Sequence, residues 1–208
     1  MSAESELSAT VNGPRLSYGV KILYGLGDVS NAIKVVTFGL YSLFFATAVK
    51  GVPGTWVGAV GFVAMLWDAI IDPCIGYLTD GVNAGSKRFN FMLVGALTMG
   101  VGFWAFFAPP RNLSTVMLCA WLLAASFVVR TATSIYSIPY YALGMNLSRD
   151  YHERTSITGI RSFASGIGTL LTASLSFVVF FPEKVKGVDP KLDQSGYASM
   201  GLTFGLVM

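Results

Sequence analysis

Apolar residues in this chain do not alternate with polar ones as they would along a half-buried strand or an amphipathic helix. They run together in long stretches separated by short polar breaks. A stretch of about 20 apolar residues is what a helix needs to cross the roughly 30 Å hydrocarbon core of a bilayer. The pattern predicts five such spans, over 22–49, 54–78, 89–108, 113–143 and 156–181, and a sixth that begins near Gly196 and is still apolar at Met208. The expected fold is therefore an all-α polytopic membrane protein. A polar tail over 1–21 precedes a transmembrane bundle over 22–208 whose sixth span is incomplete. Ending inside a span marks the chain as a fragment, with further spans expected downstream.

Composition agrees with this reading. Only 12% of residues are charged, about half the share in soluble domains. The net charge of +3 is small and scattered, so no nucleic-acid partner is expected. Cys74 and Cys119 fall inside apolar runs and read as small buried hydrophobes, not as a disulfide or a metal site. His152 lies in a predicted loop with no metal-ligand spacing around it. The tail lacks the basic start and short apolar core of a cleavable signal peptide. Nothing points to catalytic residues, a resident metal or an organic cofactor.

Lys and Arg in short loops set orientation. A cytoplasmic N-terminus places Arg15, Lys21, Lys87, Arg88, Arg149 and Arg154 inside, and Lys50, Arg111, Lys184, Lys186 and Lys191 outside. The near balance is tipped by the Lys87–Arg88 pair next to a span, and we expect the N-terminus in the cytoplasm.

Five ionisable residues lie well inside the predicted spans: Lys34, Asp68, Asp72, Arg130 and Arg161, with Asp28 near the start of the first. A charge at the bilayer centre costs at least about 2.5–3.5 kcal/mol, so such groups face a cavity or one another, usually for function. Asp68 and Asp72 sit four residues apart, on one helical face and one turn apart. Two carboxylates that close repel, and burial disfavours their ionised forms. A bound cation or a proton relieves both penalties, so the pair is the candidate cation site. The competing reading is a structural pair held by Arg130 or Arg161. Pro73 follows at once, and a kink there would free a carbonyl toward the site.

Polar stripes mark other spans. Arg130, Ser134, Ser137 and Tyr141 recur along one face of the fourth span, and Thr158, Arg161, Ser165, Thr169 and Thr172 along the fifth. Asp28, Asn31 and Lys34 form a ridge on the first. Together they suggest a shared aqueous cavity suited to a polyol-like solute, with Asn31, Lys34, Arg130, Ser137, Tyr141 and Arg161 as candidate solute contacts. For a lone Ser or Thr, interhelical hydrogen bonding worth about 0.6 kcal/mol suffices as an explanation. Gly159, Ala164, Gly166 and Gly168 read as small residues for close helix packing, and Trp67, Trp104 and Trp121 as packing or interface residues.

At Trp67-Asp68-Ala69-Ile70-Ile71-Asp72-Pro73 the chain resembles the glycoside–pentoside–hexuronide:cation symporters, the melibiose permease-like family of the major facilitator superfamily. Ser137-Ile138-Pro139-Tyr140-Tyr141 and Arg161-Ser162-Phe163-Ala164-Ser165 carry the resemblance further, and it covers nearly the whole chain. Gly76 to Asp80, followed by Lys87-Arg88, resembles the superfamily's cytoplasmic loop signature. The resemblance implies twelve spans in two pseudo-symmetric halves, this chain being the first. It implies alternating access around a central site in an inner or plasma membrane. It implies cation binding by Asp68 and Asp72 with help from the Ser134 hydroxyl, a sugar contact at Arg161, and a conformational role for Gly76, Asp80, Lys87 and Arg88. The implied partners are a sugar or glycoside, the bilayer, and the C-terminal half of the same protein, and the coupling ion is a proton or sodium.

Departures from the family pattern narrow this. Ala32 and Ser137 stand where melibiose-type members carry sugar-binding acids, which argues against a galactoside held in that manner. Tyr141 replaces a Trp and keeps a stacking surface. Ile71 stands where some sodium-using members carry Asn, which removes an oxygen ligand and favours a proton. A cation-coupled carrier of lysophospholipid-like molecules would keep the Asp pair and drop the sugar acids, as this chain does. A remoter alternative is an intramembrane aspartyl protease, from the Gly25-Leu26-Gly27-Asp28 match to a GxGD signature. That reading lacks a partner Asp on an earlier span. A non-transporting scaffold would leave the buried acids unexplained.

Overall fold

The computed structural model describes residues 16–80, 85–148, 150–181 and 194–208. Arg15, Arg149, Lys184, Lys186 and Lys191, used in the charge count, and most of the predicted tail lie outside the described residues. So do the side chains of Asp80 and Lys87. Every regular element among the described residues is a helix. Four are long and apolar enough to cross a membrane: 54–79, 88–107, 115–146 and 151–180.

The first predicted span is helical but not one continuous α-helix. It comprises α1 (Tyr18–Leu26), α2 (Val29–Thr37) and two π-helical stretches, Phe38–Ser42 and Phe45–Val49. Helix α1 starts four residues before the predicted boundary, because the Ser17 hydroxyl caps the Gly19 N–H at 3.3 Å. The break at Gly27–Asp28 has a specific cause. The Tyr140 hydroxyl donates to the Tyr24 carbonyl, and the Tyr136 hydroxyl donates to the Gly27 carbonyl at 2.8 Å. Two carbonyls are thus drawn toward a neighbouring helix, and the Gly27 and Asp28 N–H groups fall back on tighter bonds to Tyr24 and Gly25. Gly27 is required there, since a Cβ would lie 2.7 Å from the Tyr140 ring. The span ends at Gly51, whose φ of 69° favours glycine.

Helix α3 (Gly54–Asp80) is continuous in its helical assignment, with Pro73 inside it. Pro73 nevertheless lacks an N–H and leaves the Ala69 carbonyl without its helical donor. Helix α4 (Gly85–Phe107) and α5 (Thr115–Asn146, capped by Ser114) follow. Helix α6 (Tyr151–Leu175) begins five residues ahead of expectation because Asp150 caps the His152 N–H at 3.0 Å, and it continues as a π-helical stretch, Ser176–Phe180. Helix α7 (Gln194–Val207) comes last.

Helices α3 and α4 both pack along α5, α7 packs along α4, and α1 and α2 pack along α6. A buried aromatic cluster of Tyr41, Phe45, Phe103, Phe107 and Tyr197 joins α4 and α7 to the end of the first span. Outward faces carry exposed Phe62, Leu97, Val101, Phe163 and Leu170, as expected for surfaces in contact with lipid. Two expectations are corrected. Cys74 is exposed on α3, not buried. Gly159 and Gly166 face open space, and only Gly168 makes a close contact, against Val29 and Ala32 of α2.

Candidate cation and solute sites

Helices α3 and α5 run parallel, and the side chains between them form a ladder of constant offset. Asp68 pairs with Arg130, and Asp72 accepts from Ser134. Beside them the Trp67 indole N–H donates to Thr131 Oγ1 at 2.8 Å and its ring stacks on Phe127 at 4.6 Å. Trp67, expected to be packing, therefore fastens the two helices at the level of the acids. The spacing that aligns the carboxylates on α3 is matched by Arg130 and Ser134 one turn apart on α5.

The acid pair is not isolated from other charge. Lys34 of α2 lies within electrostatic reach of Asp68, Asp72 and Arg130. The cluster thus holds two acids and two bases. Arg130 Nε is buried without a hydrogen-bond partner among the described residues, while its Nη1 is on Asp68. Arg130 also lines a cavity of about 200 Å³ between the π-helical part of the first span, α3, α4 and α5, among Ser42, Ala64, Phe106, Leu122 and Ser126. Asp72 is the more open of the two acids.

Ser134 adds a feature that periodicity alone could not reveal. Its buried hydroxyl lies within reach of the Asp72 carboxylate and, at 3.1 Å, of the Arg130 carbonyl oxygen. One hydroxyl carries one proton. With Asp72 ionised, the hydroxyl donates to the carboxylate. With Asp72 protonated, the acid donates to Ser134 and Ser134 donates to the carbonyl. Both states of Asp72 are satisfied without moving a helix.

A second polar centre lies about 10 Å further along α5, seven residues on at 1.5 Å each. The Tyr141 hydroxyl donates to Asp28 Oδ1 at 3.2 Å and accepts from Asn31 Nδ2 at 3.4 Å. The Arg161 guanidinium stands 4.7 Å above the Tyr141 ring, a cation–π arrangement. Arg161 Nε is buried without a hydrogen-bond partner among the described residues. Arg161 and Tyr141 line a cavity of about 680 Å³ with Tyr24, Arg154, Ile157 and Thr158, within the size range of roughly 300–1,000 Å³ for small-molecule sites.

The solute candidates therefore divide between the two centres. Asn31, Tyr141 and Arg161 come together, with Asp28. Lys34 and Arg130 belong instead to the acid cluster. Ser137 is half-buried on α5 between them. Ala32 is buried against Gly168, which leaves no room for an acid there. Gly76 lies within α3, and its carbonyl accepts from Thr79 Oγ1 at 3.0 Å. Arg88 is half-buried near the start of α4.

Several residues escaped the sequence reading. Tyr24, Tyr136 and Tyr140 stack in a row with ring centroids 4.6 and 5.5 Å apart and hold the α1–α2 break. Lys21, assigned to the tail, is buried in an ion pair with Glu153 at 2.6 Å. The signals available were two tyrosines one turn apart on α5 and the small residue Gly27 opposite them.

The profile of the family described as MFS/sugar transport protein matches residues 23–208. The inner membrane symporter YicJ of Escherichia coli is 34% identical over 77% of this chain and 35% of its own length. The uncharacterized symporter YjmB of Bacillus subtilis is 31% identical over 86% of this chain and 38% of its own. A sodium-dependent lysophosphatidylcholine symporter 1 of Xenopus tropicalis is 26% identical over 77% of this chain and 31% of its own. The chain spans about a third of the length of the curated relatives it matches.

Proposed function

Since the chain belongs to the MFS/sugar transport family of membrane proteins, we propose that it supplies half of a symporter in which a cation taken up between α3 and α5 drives a sugar-like solute by alternating access. The observation that carries this reading is the α5 face. One helix bears Arg130 and Ser134 against the Asp68–Asp72 pair, and Tyr141 against Asp28, Asn31 and Arg161. A change of charge at one end is felt along a single rigid element at the other.

The role of each group follows from its chemistry. Asp72 takes up the coupling cation, and Ser134 satisfies the carboxyl in both of its states. Asp68, tied to Arg130, sets the local field. Tyr141 offers a ring face and a hydroxyl to the solute, and Arg161 donates to its oxygens. The solute is not a galactoside held by acids at Ala32 and Ser137, because neither position carries one. The N-terminus lies in the cytoplasm of the cell, in an inner or plasma membrane.

A second reading has a specific observation in its favour. Relatives include a sphingosine-1-phosphate transporter of Mus musculus besides the lysophosphatidylcholine symporters. A carrier of such lipids would use the same acid pair and the same two arginines, Arg154 and Arg161, toward a phosphate.

Reconstituted full-length protein tests the proposal through two modes of transport. Asp72→Asn should abolish accumulation of solute against its gradient while leaving solute exchange across the vesicle intact. Accumulation that survives Asp72→Asn unchanged would remove Asp72 from the coupling step. Comparing glycosides with lysophospholipids as substrates separates the two readings.

A further inference from the structure

Family resemblance allows sodium at Asp68 and Asp72, and sodium makes demands of its own on the donor set. A hard cation needs several oxygens converging on one point and tolerates no positive neighbour inside its shell. Here one oxygen of each acid is already engaged. Asp68 Oδ2 is held by Arg130 Nη1, and Asp72 Oδ1 by Ser134. The Ser134 proton is contested by the Arg130 carbonyl oxygen at 3.1 Å. Ile71, one residue before Asp72, offers no side-chain oxygen. Asp68 is already neutralised by Arg130, so a sodium ion at the pair would sit beside a fixed positive charge.

We propose that the Arg130 guanidinium is a tethered counter-ion that closes the carboxylate pair to sodium, making Arg130 the residue that sets ion specificity. The proposal deepens the symport reading and rests on it. Arg130 is suited to the role because a guanidinium keeps its charge at any physiological pH. It reaches Asp68 from the parallel helix, at the turn next to Ser134. A proton needs one carboxyl oxygen and can still enter at Asp72, whereas sodium would have to displace the arginine.

The test is direct binding of radioactive sodium alone to purified full-length protein, with no solute and no transport step. The wild type should bind none above background. Arg130→Met keeps the length and removes the charge, and should raise sodium binding at least about tenfold, the scale of effect one adjacent charge has on a carboxylate's affinity for cations. Arg130→Lys keeps the charge and should stay closed to sodium. Adding Asp68→Asn to Arg130→Met should abolish the gained binding, which places the ion at the pair. Monodisperse elution of each variant confirms that the fold is retained. Sodium binding by the wild type would overturn the proposal, and so would failure of well-folded Arg130→Met to gain it. A failure of cation-driven transport in the wild type would instead strike the symport reading and would leave this binding result to stand or fall on its own.

Discussion

Replacing Glu153 by Gln should destabilise the protein by about 3–5 kcal/mol, the range for removing one partner of a buried ion pair. Glu153 and Lys21 meet at 2.6 Å, with side chains only 7% and 5% exposed. Glu153 also accepts the Leu16 N–H at 2.8 Å, and Lys21 donates to Ser156 at 3.2 Å. Gln keeps the volume and the bond to Leu16, so the loss isolates the charge. What remains is a lysine held inside the α1–α6 contact with a serine hydroxyl and the Tyr18 ring, and no counter-charge in the place of Glu153. Replacing both partners with apolar residues, Lys21→Met with Glu153→Leu, removes the stranded charge and should return stability to within about 1 kcal/mol of the wild type. The assay is thermal unfolding in detergent of the wild type, each single variant and the double variant. The single variant should melt at least about 5 °C lower, and the double-mutant cycle should show strong coupling. A Glu153→Gln protein that melts with the wild type would refute the buried-pair argument. The consequence for function is geometric, because α6 also carries Arg161, and loosening the α1–α6 contact should weaken solute binding.

Other predictions follow from single contacts. Tyr141→Phe keeps the ring beneath Arg161 but loses the bonds to Asp28 and Asn31, and should weaken solute binding about tenfold, the value of one to two hydrogen bonds; Tyr141→Leu should weaken it further, as read by solute-dependent protection or direct binding. Gly27→Ala forces a methyl group against the Tyr140 and Tyr136 rings and should cost about 1–3 kcal/mol in unfolding measurements. Trp67→Phe preserves stacking on Phe127 and loses the bond to Thr131, with an expected cost of about 1 kcal/mol.

What the sequence made legible was what lies within one helix. The four-residue step from Asp68 to Asp72 and the recurring polar positions on the fourth and fifth spans follow from helical periodicity. Long apolar runs located α3, α4 and α5 to within a few residues. Pairing between helices was not legible. Arg130 and Arg161 were equal candidates to meet the acids, and only the parallel packing of α3 on α5 selects Arg130, while the packing of α6 on α1 and α2 sends Arg161 to Tyr141. Hydropathy is also blind to polar first turns. It placed Lys21 in a tail and the start of α6 after Glu153, although Asp150 as a cap and Glu153 in the first turn are a helix-start signature. The division of the first span depends on hydroxyls donated by Tyr136 and Tyr140, more than a hundred residues away.

The central claim is that a charge entering at Asp72 moves with the solute. External pH recorded in sodium-free medium around vesicles bearing the full-length protein addresses it directly. Adding solute should produce a transient alkalinisation with the wild type and none with Asp72→Asn. A wild-type signal that appears only when sodium is present, or one that persists in Asp72→Asn, would contradict the account.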